Sequence, residues 1–392
     1  MSTQRPISLA VIHDMPEEGW SSMDQMGQLL ATRVPMHSGQ IRATVIRHQL
    51  VRIASRMPLG NRRREALFAD RVLNRMVLYP RRIRREVNGR YNLYHIVDHS
   101  YAQLVHELPA ASTIVTCHDV DTFRCLASPA EEIRSRPYRA MTHRILSGLR
   151  RAASVVCGSQ ATRDDLLRLG LLPEERIRVV PNGIDPDFLP EPSALACEWA
   201  AGHLATGGDP TLDVLHVGND VPRKRIDRLL RIVDAVRASG MGVRLVRVGG
   251  PLTRTHKRLA AHLNVPLVEL PHLDRDVLRA VYARCAVLLM PSDREGFGLP
   301  VIEAFAAGRP AVISDIPALR EISGGLARWV APDDIRGWVD AITNTLKPQD
   351  VAVGEYARRA HAGTLTWDTH ARGLLPVYDE VLDRLRGITQ CA

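Results

Sequence analysis

The chain has 392 residues, 45% of them hydrophobic, a length and composition that exclude a single small domain and a disordered polymer and lead to two packed domains. Its net charge of +9 comes from 52 basic and 43 acidic residues, but with 5% aromatic residues and no reading motif, nucleic acid is excluded as a partner. Six cysteines (Cys117, Cys125, Cys157, Cys197, Cys285, Cys391) without a C-x-x-C pair fit reduced thiols better than a disulfide framework or a zinc site.

Residues 1–13 lack an apolar signal core, and no uninterrupted apolar stretch approaches the ~20 residues that span a bilayer, so a cytoplasmic location is expected. Ile7 to Ile12 is a β-branched-rich run and reads as the first strand. The loop after it, His13-Asp14-Met15-Pro16-Glu17-Glu18-Gly19-Trp20, carries Gly19, where backbone can approach a ligand, and Trp20, an aromatic that stacks on a ligand or packs at a helix entrance. A second strand is expected from Ala43 to Ile46.

Between Arg47 and Arg90 thirteen arginines face only Glu65, Asp70 and Glu86. Arg62-Arg63-Arg64 and Arg81-Arg82-Ile83-Arg84-Arg85 flank the apolar segment Leu73 to Tyr79, which predicts a basic amphipathic helical hairpin. Residues 47–90 then suit an anionic membrane surface on the inner face; the plainer alternative is a solvated helical face.

Further strands are expected at Leu93 to Val97, Thr113 to Thr116, Ser154 to Cys157 and Ile177 to Val180, with helices between most of them. Two of these strand ends are polar: Asp98-His99-Ser100-Tyr101, where Asp98 or Ser100 equally suits a helix N-cap, and Cys117-His118-Asp119. Together these elements make a doubly wound α/β domain over residues 1–186. A Pro-rich and Gly-rich passage from Pro181 to Gly208 reads as a connection.

A second alternating series follows at Val214 to Val217, Arg244 to Val248, Leu267 to Leu270, Val287 to Met290, Ala311 to Ser314 and Arg328 to Val330, giving a second Rossmann-like domain over 187–366. The last segment, 367–392, has apolar residues at helical spacing from Leu374 to Leu385 and should pack. The loop after the first strand of this series, Val217-Gly218-Asn219-Asp220-Val221-Pro222-Arg223-Lys224-Arg225, is rich in cations that suit an anion, although Arg223 and Arg225 equally suit a solvated helix face.

The most specific stretch is Glu295-Gly296-Phe297-Gly298-Leu299-Pro300-Val301-Ile302-Glu303. It follows a buried strand, and Pro300 suits the first turn of a helix that Gly308 and Pro310 close. Gly296 and Gly298 permit close backbone approach, and the amides at the helix start seat an anion such as phosphate.

This E-G-F-G-L-P-x-x-E-A form resembles the donor site of retaining nucleotide-sugar glycosyltransferases of family GT4. The resemblance covers nearly the whole chain, most strongly from about Val179. It implies a GT-B fold, with two Rossmann-like domains facing across a cleft and the C-terminal helix crossing back to the first. It also implies catalytic roles for Glu295, His118 and Lys224, with Lys224 on the diphosphate and Glu295 on sugar hydroxyls. Donor-binding residues would be Glu303 on the ribose, Gly296, Phe297, Gly298, Leu299, Arg223, Asn219 and Gly218. Acceptor-side candidates are Asp119, Asp98, His99, Gly19 and Trp20. Many members carry arginine where this chain has Asn219, which donates a hydrogen bond but brings no charge.

The implied reaction transfers a hexose, mannose being favoured, from a nucleoside-diphosphate sugar to a hydroxyl of a glycan or lipid-linked acceptor in cell-surface polysaccharide or glycolipid synthesis. Configuration is retained, and neither a cofactor nor a metal is required. The alternatives are a non-catalytic nucleotide-sugar-binding homologue and a GT-B nucleotide-sugar epimerase.

Overall fold

The first series of apolar runs becomes β1 (Ile7–Ile12), β2 (Ile41–Ile46), β3 (Leu93–Ile96), β4 (Thr113–Cys117), β5 (Ser154–Cys157) and β6 (Ile177–Val179), an all-parallel sheet ordered β2-β1-β3-β4-β5-β6. Parallel neighbours need crossovers, supplied mainly by α1 (Ser21–His37), α2 (Arg63–Leu73), α3 (Tyr79–Arg82), α4 (Asp121–Ala127), α5 (Arg136–Arg151) and α6 (Gln160–Arg168). With both faces covered, β3, β4 and β5 are buried at every position, which explains their largely apolar character. The structure, a computed structural model, describes the chain except residues 1–5, 20, 58–62, 185–187, 189–190, 206–210 and 391–392.

The predicted hairpin within residues 47–90 is not formed. Residues 63–87 are one continuous helical run that widens to five-residue turns over Asn74–Leu78 and Ile83–Val87. Pro80 explains the first widening: it has no N–H and its ring crowds the preceding turn, so a regular helix cannot pass through it. Ile83 and Val87 are buried while Arg81, Arg84 and Arg85 stay exposed, so the run is amphipathic without folding back.

Residues 182–366 form a second compact unit, and residues 1–181 with 367–392 the first. Its strands β7 (Leu212–Val217), β8 (Val243–Val248), β9 (Leu267–Leu270), β10 (Val287–Met290), β11 (Ala311–Ser314) and β12 (Arg328–Val330) are again all parallel, in the order β12-β11-β10-β7-β8-β9. The helices are α7 (Ala194–His203), α8 (Ile226–Ala238), α9 (Arg254–His262), α10 (Arg275–Arg284), α11 (Leu299–Ala306), α12 (Pro317–Ser323), α13 (Ile335–Thr345) and α14 (Pro348–Thr364). One face of the sheet buries Leu215, Leu288 and Phe305, the other Val214, Leu229 and Trp338.

The last helix, α15 (Trp367–Gln390), belongs to the first unit. Its Ala371, Leu374, Tyr378 and Val381 pack with Leu9, Val11, Met26 and Leu30. Each fully buried Leu or Val there contributes about 1.5–3 kcal/mol. The Tyr378 hydroxyl also reaches His95 Nδ1 on β3 at 2.7 Å, while His95 Nε2 lies 2.8 Å from Thr116 Oγ1 on β4, so α15 braces two strands whose ends carry polar residues.

Candidate functional site

Strand order reverses once in each sheet, between β7 and β10 in the second unit and between β1 and β3 in the first. Open α/β sheets bind ligands at the carboxyl ends of the strands where this happens, because the crossovers leave in opposite directions and open a crevice.

In the second unit the loop after β7 meets the loop after β10. Asp293 N donates to Arg223 O at 2.8 Å, and buried Arg228 of α8 donates to Pro291 O at 2.9 Å and to Asp293 Oδ1 at 2.7 Å, so the two loops are tied. Arg225, a non-glycine residue at φ 49°, is held there by paired contacts from its guanidinium to Asp227 and Asp293. That conformation turns the preceding residues, Arg223 and Lys224, toward the β10 loop. Gly298 opens α11 at φ 102°, a conformation that residues with a side chain rarely adopt, and a Cβ there would also crowd Leu319 Cδ2 at 2.7 Å.

Lys224 Nζ donates to Glu295 Oε1 at 2.7 Å, and Arg223 Nη1 donates to Glu295 Oε2 at 3.1 Å. The Glu295 side chain is only 5% exposed. Burial pushes its carboxyl up, but the charges of Lys224 and Arg223 outweigh it and hold it below the ordinary range. Glu303, in the first turns of α11, behaves in the opposite way: burial raises it, and the hydroxyl of Tyr282 on α10 donates to its Oε2 at 2.7 Å. The two glutamates are therefore a charged group clamped by cations and a group pushed toward its neutral form.

Asn219 is exposed on the β7 loop. Arg247, on β8 and buried, donates to Gly218 O at 3.0 Å and to Gly250 O, shaping the backbone around Asn219. The sequence reading missed both Arg247 and Tyr282. An arginine inside the apolar run Val243 to Val248 was the available signal for the first; Tyr282 gave none.

In the first unit, register puts the strand ends in a row. Ile12 pairs with Ile46 and with Ile96, and Ile96 pairs with Val115. The residues just beyond are therefore Arg47, then His13 and Asp14, then Asp98 and His99, then His118 and Asp119. His118 Nε2 lies 2.8 Å from Val97 O and donates a ring proton to it; burial lowers the basicity of the ring, partly offset by the charge of Asp98. Its backbone N–H donates to His99 Nδ1 at 3.3 Å. Asp98 caps the following turn, accepting from Ser100 N at 2.8 Å and Ser100 Oγ at 2.7 Å. Burial raises the Asp98 carboxyl, but His99, His118 and those hydrogen bonds bring it below the usual range. Asp119 Oδ1 accepts from Asp121 N at 3.0 Å. Gly19, at φ 73°, closes the Pro16–Glu18 turn and is exposed, while Trp20 lies outside the described residues.

Two residues that sequence reasoning did not single out stand in this row. Arg47 donates through Nε to His13 Nδ1 at 3.1 Å, and burial followed by the Arg47 charge lowers His13 to about 4. Asp14 is buried and pushed up to about 7, by burial first and then by the charges of Asp98, Asp24 and Glu18. Ligating atoms of His13, Asp14 and Asp24 lie within 4.8 Å of one another, the one such trio among the described residues. A metal ion there would have to displace Arg47, which also lies 2.9 Å from Asp24 Oδ1.

Residues 211–348 match the family model described as glycosyl transferases group 1, and residues 40–188 the model for glycosyltransferase family 4. Among curated relatives, the D-inositol 3-phosphate glycosyltransferase of Saccharomonospora viridis is 31% identical over 60% of this chain and 57% of its own length. The MMP alpha-(1->4)-mannosyltransferase of Mycolicibacterium hassiacum is 28% identical over 58% of this chain and 54% of its own. The chain thus spans little more than half the length of these relatives. Among solved structures, sucrose-phosphate synthase from Thermosynechococcus elongatus superposes with a TM-score of 0.71 at 19% identity, over 97% of this chain and 100% of that one. Anabaena HepE in complex with UDP and glucose gives 0.71 at 15%, over 95% and 100%. At such identities the likeness establishes the fold, which is GT-B with two Rossmann-like domains.

Proposed function

Because this chain belongs to the family 4, group 1 glycosyltransferases, we propose that it transfers a hexose from a nucleoside-diphosphate sugar to a hydroxyl of a glycan or lipid-linked acceptor, with retention of configuration. The observation that carries this reading is the clamp of Lys224 and Arg223 on Glu295 where the second sheet reverses its strand order. Without donor, the carboxylate holds two cations in place. With donor, the diphosphate takes the cations, which stabilise the charge that grows as the sugar leaves, and Glu295 turns to sugar hydroxyls. The amides of Gly296 to Leu299, at the start of α11, meet phosphate, and Glu303 meets the ribose. Two cations and a helix start supply the positive charge, so the reaction needs no bound metal. The leaving phosphate takes the acceptor proton on the same face of the sugar.

In the first unit, His118 has its proton committed to Val97 O and leaves Nδ1 as an acceptor, while Asp98, His99, Asp119 and Gly19 mark the acceptor side. Mannose is the favoured sugar, since a mannosyltransferase is among the relatives. Incubating the protein with GDP-, UDP-, ADP- and dTDP-sugars and assaying free nucleotide tests the reaction; no hydrolysis or transfer with any of them counts against it. Asn219 favours one second reading, a homologue that binds donor without turnover, which the same assay separates by binding without release.

No helix among the described residues is long and apolar enough to cross a membrane. Exposed Val51, Ile53, Met57 and Phe68 lie in the arginine-rich segment with exposed Arg52, Arg56, Arg81, Arg84 and Arg85. This combination supports peripheral docking on an anionic cytoplasmic membrane face, where a lipid-linked acceptor is available.

A further inference from the structure

Each sheet has one strand-order reversal, and the donor reading uses only the second. In the first, between β1 and β3, Asp14 stands two residues beyond Ile12 and Asp98 two residues beyond Ile96, its register partner, so parallel pairing brings the carboxylates together. Asp98 is satisfied by Ser100. Asp14 is not: it is 1% exposed, and its Oδ1 has no hydrogen-bond partner among the described residues. A buried carboxylate oxygen without a donor is costly unless a ligand supplies one.

The surroundings define that ligand. Asp24 and Glu18 add negative charge, and the nearby guanidiniums are already engaged, Arg47 with His13 and Asp24, and Arg75 with Ser100 O and the face of Tyr101. Because Arg47 donates to His13 Nδ1, the ring proton of neutral His13 sits on Nε2, which packs against the α1 backbone at Gly27 and is taken up there. The site thus offers an acceptor, Asp14 Oδ1, that lacks a donor, and a ligand hydroxyl can supply one. A phosphate would sit among the carboxylates of Asp98, Asp24 and Glu18, which repel it.

We infer that the β1 and β3 strand ends, centred on Asp14, bind the acceptor through its hydroxyl groups, and that the acceptor is an uncharged sugar or cyclitol at its reacting end, without phosphate there. This rests on the transferase reading for the word acceptor, and sets the chain apart from a relative named for an inositol phosphate. The half-protonated state expected of Asp14 near neutrality, its carboxyl being raised to about 7, lets it accept or donate to a hydroxyl as the ligand requires.

The test is saturation-transfer NMR on the full chain with two matched pairs: myo-inositol and its 1-phosphate, and methyl α-mannoside and mannose 6-phosphate. The neutral member of a pair should bind at least about tenfold more tightly than the phosphorylated one, and Asp14→Asn should weaken it about tenfold while leaving nucleotide affinity unchanged. Equal or tighter binding of the phosphorylated member, no binding of either, or a neutral ligand indifferent to Asp14→Asn would each overturn the inference. So would Mn²⁺ binding that depends on Asp14 and excludes the neutral ligand. Nucleotide binding, measured in parallel, reports on the transferase reading separately: polyol binding without nucleotide binding would sink that reading and keep the subsite.

Discussion

Lys224 Nζ lies 2.7 Å from Glu295 Oε1, a partly buried contact between residues 71 apart in the chain, on loops that follow strands adjacent in the sheet. The cation and the carboxylate hold each other where a diphosphate would compete for the cation. Glu295→Gln should therefore tighten binding of the free nucleoside diphosphate about tenfold, because no carboxylate has to be displaced. It should slow sugar transfer about a hundredfold, because the hydroxyl contact is lost. Titration calorimetry and initial rates check both halves. The variant should also be less stable at neutral pH. The Glu295 carboxyl is depressed in the fold, so its contribution is present above the unfolded value and is lost as pH falls through the folded one; the two proteins should converge in acid.

Tyr282 donates to Glu303 and so fixes which oxygen faces a ligand. Tyr282→Phe should cost about 1 kcal/mol of stability and weaken nucleotide binding about tenfold, with a smaller loss for the 2′-deoxy nucleotide. Equal losses for both nucleotides would mean that Glu303 does not meet the ribose.

Asp14 gives a pH prediction of the opposite sign to Glu295. Its carboxyl is raised from 3.8 to about 7, so the fold favours the protonated form and loses stability as pH rises through that window. Asp14→Asn should melt about 2 °C or more above the parent at pH 8, with the difference vanishing near pH 4. A variant that is less stable at pH 8 would show that the Asp14 charge is compensated.

Much of this was legible in the sequence because parallel, doubly covered sheets need unbroken apolar strands. Val287 to Met290 and Leu267 to Leu270 were read at their observed bounds, while β2 begins at Ile41, ahead of the expected Ala43, because its exposed Arg42 hid the first turn of the pattern. The Glu295 to Glu303 loop was readable because glycine and proline punctuate it. The hairpin was misread because two arginine runs flanking the apolar Leu73 to Tyr79 suggested two helices, whereas residues 63–87 continue as one helical run that widens near Pro80. Asp14 was unreadable as a ligand group: what raises it is burial first and then Asp98, 84 residues away, and only the fold supplies the burial and the β1–β3 register that brings the two together. Tyr282 and Arg247 escaped for the same reason, since their partners are fixed by packing.

The arginine-rich run should bind vesicles according to charge. Co-sedimentation with vesicles containing about a third anionic lipid should exceed that with neutral vesicles and fall steeply with added salt. Binding indifferent to lipid charge would remove membrane docking from the account.

The most direct measurement is thermal stability of the full chain against GDP, UDP, ADP and dTDP, with and without EDTA, for the parent and Lys224→Ala. The account predicts stabilisation by one nucleotide, unaffected by EDTA and lost in the variant. Stabilisation by none of them, or stabilisation that survives Lys224→Ala, would contradict the assignment of the Lys224–Glu295 cluster as a nucleotide-sugar site.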